Sequence, residues 1–213
     1  MAIGPQLVLL LVVLTDFAVL GTTRLSTCIR ALAAQGLLLG ALPVLVAPSL
    51  TLHAVVLAAG TVAVKAVVLP RFLTWAIREA AARREVEPVV GFNASLLLGA
   101  GAAALAFAIA ARLPLERAAP AAMLVPAALT TVMIGLIVLT TRRKAITQVV
   151  GYLMLENGIY LFGLTQTESV PFLLELGVLL DVFVGVFVMG IVVFHLNREF
   201  DSLDSTRLTE LTD

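Results

Sequence analysis

One cysteine, Cys28, and two histidines, His53 and His195, are all the chain has of thiol and imidazole ligands. A single thiol excludes an internal disulfide, and a cysteine-ligated iron–sulfur cluster needs about four thiolates. The two histidines fall at opposite ends of the apolar runs described below, so they do not jointly ligate a haem. Charge is scarce as well: 13% of residues are Asp, Glu, Lys or Arg, against about 25% in soluble domains. Fourteen basic residues offset 14 acidic ones, so bulk charge gives no reason to expect a nucleic-acid partner. No Lys or Arg precedes Arg24, which disfavours a cleaved signal peptide and favours a retained first span.

What the chain has in excess is apolar surface. Of its 213 residues 61% are hydrophobic, and the mean hydropathy is +1.08. A soluble fold has nowhere to bury this, so the composition predicts an all-α, polytopic membrane helix bundle. A crossing takes about 20 apolar residues, and seven runs qualify: roughly 5–23, 27–47, 50–70, 90–111, 120–140, 146–165 and 171–195. With the N-terminus outside, Arg24, Arg71, Arg78, Arg142, Arg143 and Lys144 all fall inside, while Arg112 and Arg117 stay outside. Lys and Arg collect on the cytoplasmic side, so the expectation is N-out, C-in in a prokaryotic inner membrane, with six helices as the rival count. The chain then divides into helices 1–4 over 1–118 with a cytoplasmic linker helix at 71–87, a three-helix module over 119–196, and a polar cytoplasmic tail, 197–213. The linker carries Phe72 and Trp75 as a membrane-edge anchor.

Ionisable residues inside apolar runs are rare and usually face a bundle interior or a wet path. Five occur here: Asp16, Lys65, Glu156, Glu175 and Asp181. At about 1.5 Å per residue, Glu156 lies about 13 Å below the outer end of its run and Asp181 about 15 Å below the outer end of the next. A short connection makes those helices antiparallel neighbours, which brings two carboxyls to one height. Tyr152 and Tyr160, the only tyrosines, stand four residues either side of Glu156 and share its face. Gln148 continues the stripe, and Asn157 lies beside it. Asp181 has Gly177 and Gly185 at the same offsets, which permits close helix approach. These groups read as a proton or cation path, or as acids that only bridge helices. Asp16 is also near the midplane but stands alone, without a polar stripe. Lys65 either snorkels to the inner face or pairs with one of the acids. Glu175 reaches for the outer interface, and Pro70 reads as the end of the third run.

The last three runs resemble the NuoK subunit of respiratory complex I and its small MrpC relatives in Mrp-type antiporters. The resemblance rests on Arg142 and Arg143 in the inner loop, on "GYLMLEN" ending at Asn157, and on "DVFVG" from Asp181 to Gly185. With Gly151 and Asn157 aligned, the family's first glutamate falls at Leu153, and Glu156 comes three residues later. Taken whole, the chain resembles component E of hydrogenase-4. That resemblance implies a non-catalytic membrane-arm subunit of a formate-hydrogenlyase-type hydrogenase. It also implies large antiporter-like subunits, other small membrane subunits and a peripheral hydrogenase arm as partners. The nickel–iron centre and iron–sulfur clusters would belong to those partners, with no cofactor or metal in this chain. The relay expected from the buried groups runs through Glu156 and Asp181, with Tyr152, Tyr160, Asp16 and Lys65 extending it. "TTRLSTCIRALAAQG" (22–36) also parallels "TTRRKAITQVVGYLMLENG" (140–158), which is consistent with an internal duplication. A purely anchoring subunit, a subunit of another complex I-like or antiporter assembly, and a small stand-alone transporter remain the alternatives.

Overall fold

The computed structural model describes residues 3–46, 52–79, 89–113, 121–165, 183–186 and 189–190. Every regular element among them is helical. The elements are α1 (Ile3–Gly21), α2 (Leu25–Val46), α3 (Leu52–Thr61), a π-helical segment (Val62–Val68), α4 (Leu69–Glu79), α5 (Phe92–Arg112), α6 (Ala121–Thr141) and α7 (Ala145–Leu164). Helices suit this sequence because each satisfies its own backbone groups, which lipid does not. Among the described residues five helical stretches are long and apolar enough to cross a membrane: Gly4–Gly21, Leu25–Val46, Ala58–Arg78, Phe92–Arg112 and Met123–Thr141.

The sixth expected run folds as the helix α7, at 20 residues. It is not among those five, because Gln148, Glu156 and Asn157 lower its apolar content. Glu156 and Asn157 are turned inward while Gln148 is half-buried, and α7 is lined with buried side chains along most of its length. The seventh run, 171–195, lies outside the described residues except for helical backbone at 183–186 and 189–190. The expectations for Asp181, Glu175, Arg117, His195 and the 197–213 tail likewise concern residues outside them.

The third span departs from the expected limits of 50–70 with a separate linker helix from 71. Instead α3, the π segment and α4 form one unbroken helical run, and the crossing candidate shifts to Ala58–Arg78. The reason lies at Pro70. Proline cannot donate the bond that an α-helix needs at that position. Here the ladder is already displaced, because the Leu69 N–H reaches Val64 O, five residues back. The wide turn therefore absorbs the proline instead of ending the helix.

Packing is closest between α6 and α7. A Cβ on Gly135 would stand 2.5 Å from Leu155 N, and one on Gly151 would stand 2.5 Å from Leu139 N. Only hydrogen fits at these crossings, the small-residue contact that lets membrane helices touch by backbone. Gly36 of α2 does the same against the π segment, where a Cβ would lie 2.7 Å from the Lys65 carbonyl carbon. Two apolar layers result. One holds Val19, Leu25, Leu32, Leu69, Leu73, Ile134 and Met154. The other holds Leu9, Val12, Leu39, Leu42, Leu124, Ala128 and Leu161. On α1, α2, α6 and α7 the sequence passes from one layer to the other across a few residues, and each of those stretches contains a buried polar side chain.

Candidate functional site: a buried charge pair in a polar layer

Between the two apolar layers lie Asp16 on α1, Gln35 on α2, Lys65 on the π segment, Thr131 on α6, and Glu156 and Asn157 on α7. All six are buried, and Asp16, Thr131 and Glu156 are fully so. Lys65 donates from Nζ to Glu156 Oε1 as a salt bridge. Of the two readings open for Lys65, the structure shows the charge partner, not the snorkelling side chain. Such a pair loses hydration on both groups, and direct contact offsets that loss only when the geometry is close. Lys65 Nζ also lies 6.0 Å from the centre of the Tyr160 ring, within cation–π range. The Tyr160 hydroxyl meets Thr61 Oγ1 at 3.1 Å.

A second group of contacts runs beside the pair. Gln35 Nε2 donates to Asp16 Oδ1 at 2.7 Å, and Thr131 Oγ1 donates to Asp16 Oδ2 at 2.7 Å. Asn157 Nδ2 donates to Gln35 Oε1 at 2.8 Å. Asp16 is therefore not solitary, contrary to expectation. Its polar partners come from α2 and α6, where no inspection of its own helix would find them. A void of about 10 Å³ touches both Lys65 and Asn157, close to the least space that holds one water.

The tyrosine stripe divides. Tyr160 stays with the pair, whereas Tyr152 is half-buried and lines a cavity of about 340 Å³ with Gln148, Phe183 and Val184. Gln148 Nε2 donates to Arg142 O at 3.0 Å. Arg142 itself, expected as one of several loop charges, is buried. Its Nη2 donates to Leu20 O at 2.9 Å, and its guanidinium lies 5.3 Å from the Phe92 ring centre.

Sequence reasoning missed Thr61, Thr131 and the bonding role of Gln35. Gln35 carried a usable signal, being an amide in an apolar run at the depth of Asp16. The threonines carried none, because hydroxyls often bond their own helix, as Thr130 does to Pro126 O at 2.7 Å. Among the described residues no group of three or more His, Cys, Asp or Glu is placed to hold a metal.

A curated protein of Mycobacterium tuberculosis, named "Uncharacterized protein Rv0085", is 38% identical over 205 residues. The match covers 94% of this chain and 92% of that one. No family model matches the chain, and no solved structure matches it.

Proposed function

The chain belongs to the family of that mycobacterial protein, and from the buried Lys65–Glu156 pair we propose that it moves protons or sodium ions across a prokaryotic cytoplasmic membrane as a non-catalytic subunit of a larger complex. The pair is the observation that carries this reading. A permanently dry helix contact needs neither charge, and apolar residues of similar volume in its place would often be as stable. Transfer of one proton from Lys65 Nζ to Glu156 Oε1 turns ammonium and carboxylate into amine and acid, and the reverse step restores both. Charge arriving in a neighbouring subunit shifts that balance. Tyr160 and Thr61 supply the next hydroxyls toward one face, and the void between Lys65 and Asn157 has room for about one water.

Orientation follows from the basic residues. Arg24, Arg30, Arg71, Arg78, Arg142, Arg143 and Lys144 lie at one end of the bundle, and Arg112 lies at the other. The crowded end is cytoplasmic, which gives N-out, with the seventh run bringing the C-terminus inside. The resemblance to component E of hydrogenase-4 supports a setting in the membrane arm of a redox-driven complex. In it, antiporter-like subunits and a hydrogenase arm with its nickel–iron and iron–sulfur centres are the partners. A second reading, a purely anchoring subunit, has the Asp16 contacts in its favour. Gln35 and Asn157 are amides, which hold helices together without readily passing a proton.

The test uses the tagged chain with the subunits that co-purify from native membranes, reconstituted in vesicles with an entrapped pH dye. Glu156→Gln should lower donor-driven proton movement at least about tenfold, with the set of co-purifying subunits unchanged. Wild-type pumping by the Lys65→Met/Glu156→Gln double variant overturns the reading in favour of anchoring.

A further inference from the structure

Near the basic end of the bundle, α2 and α4 leave a groove of about 550 Å³ between them. Its less exposed surface is apolar, from Ile29, Ala33, Ala66 and Pro70. Its edge carries the exposed Arg30 from α2 and, from α4, the exposed Arg71, Trp75 and Arg78 with the half-buried Thr74. The α4 residues stand at positions i, i+3, i+4 and i+7, so one helical stripe presents all four. The opposite side of α4 packs inward through Leu73 and Ala76, which are buried. Nearer the bundle centre Gly36 brings α2 directly against the backbone of Lys65 and Ala66.

Among the described residues, none of the three arginines has an acidic side chain within ion-pair distance. A surface arginine normally needs no partner, because water solvates it. Three on one groove with an apolar floor, at the end of membrane-crossing helices, form a different arrangement. Trp75 is 40% exposed and stacks on Phe72 with ring centres 5.5 Å apart. An indole at this level suits the headgroup zone. Val67 and Val68, a turn or more nearer the bundle centre, are also exposed, which extends an apolar track from the groove along the helix toward the hydrocarbon.

We propose that this groove binds an anionic phospholipid of the cytoplasmic leaflet, its phosphate held by Arg30, Arg71 and Arg78 and its acyl chain laid along the apolar track. Guanidinium groups bind phosphate through paired N–H donors, and basic clefts between helices on the cytoplasmic side are suited to anionic headgroups. An acidic protein segment would satisfy the arginines but would leave the apolar floor and track uncovered. Free phosphate would do the same. The proposal rests on the membrane-spanning reading and not on ion movement.

Trp75 is the chain's only tryptophan, so its emission reports this groove alone. The purified full chain is placed in phosphatidylcholine vesicles containing a minor fraction of either brominated phosphatidylglycerol or brominated phosphatidylcholine. Quenching by the brominated anionic lipid should exceed that by the neutral one at least about threefold, since each cation near a membrane surface favours anionic lipid by a factor of several. The triple variant Arg30→Gln/Arg71→Gln/Arg78→Gln should bring that ratio to about one. The matching triple Lys variant should keep part of the preference, because it retains charge but loses the paired donors. Excess inorganic phosphate should leave wild-type quenching unchanged. Equal, non-zero quenching by the two lipids in the wild type overturns the proposal, as does displacement by phosphate or by polyglutamate. Absence of quenching from either lipid would sink the membrane-spanning reading along with it.

Discussion

The polar layer has two arms that meet on α7 at adjacent residues, and they are built from different chemistry. Glu156 turns to the third span and meets a formal charge, Lys65. Asn157 turns to α2 and meets an amide, which then meets the Asp16 carboxyl and, through it, Thr131. The first arm contains groups that exchange protons readily. The second is joined through two carboxamides, good hydrogen-bond partners and poor proton carriers. One helical step thus separates a candidate conducting contact from a candidate holding contact. Burial alone does not identify function, since both arms are equally hidden. The kind of partner does.

The comparison is most sharply broken by removing one half of the charge pair. Lys65→Met leaves Glu156 facing an apolar side chain and should cost about 3–5 kcal/mol, read as a lowered midpoint in detergent-monitored unfolding. The double variant Lys65→Met/Glu156→Leu should recover most of that loss while still failing to move ions. Next in size, Gly151→Leu forces a side chain into the Leu139 backbone and should cost about 3 kcal/mol, read in the same unfolding measurement. A smaller effect belongs to the amide arm. Asp16→Asn keeps the shape and most of the bonding, so a loss of about 1 kcal/mol is expected, with pumping retained. Pumping lost in Asp16→Asn with assembly intact would place both arms on the route. Smallest is Tyr160→Phe, which removes the bond to Thr61 and should cost up to about 1 kcal/mol. If it slows ion movement more than it lowers stability, Tyr160 lies on the path.

Much of this was legible in the sequence. Hydropathy located α1, α2, α5 and α6 to within a few residues, because a lipid-spanning helix is a long uniform signal. Glu156 was conspicuous as a carboxyl in such a run, and so was Asp16. What the sequence left open was pairing: Lys65 either snorkelled or met an acid, and it did not say which acid. Lys65 precedes Glu156 by 91 positions, and no periodicity within one helix points across that distance. The third helical run was ended too early because Pro70 is ordinarily a boundary, and the π turn that accommodates it leaves no compositional mark. The tyrosines were grouped by helical spacing, yet residues eight apart are turned some 80° from one another at about 100° per residue. Tyr152 and Tyr160 consequently meet different neighbours.

Arg142 gives α1 a second fastening. Toward its C-terminal end that helix is tied to α6 through Asp16 and Thr131, and about one turn further on the guanidinium of Arg142 grips the Leu20 carbonyl. A rod fixed at one point can swivel; a rod fixed at two cannot. The last turns of the first helix are therefore clamped to the α6–α7 hairpin at two points, one on a side chain and one on the backbone.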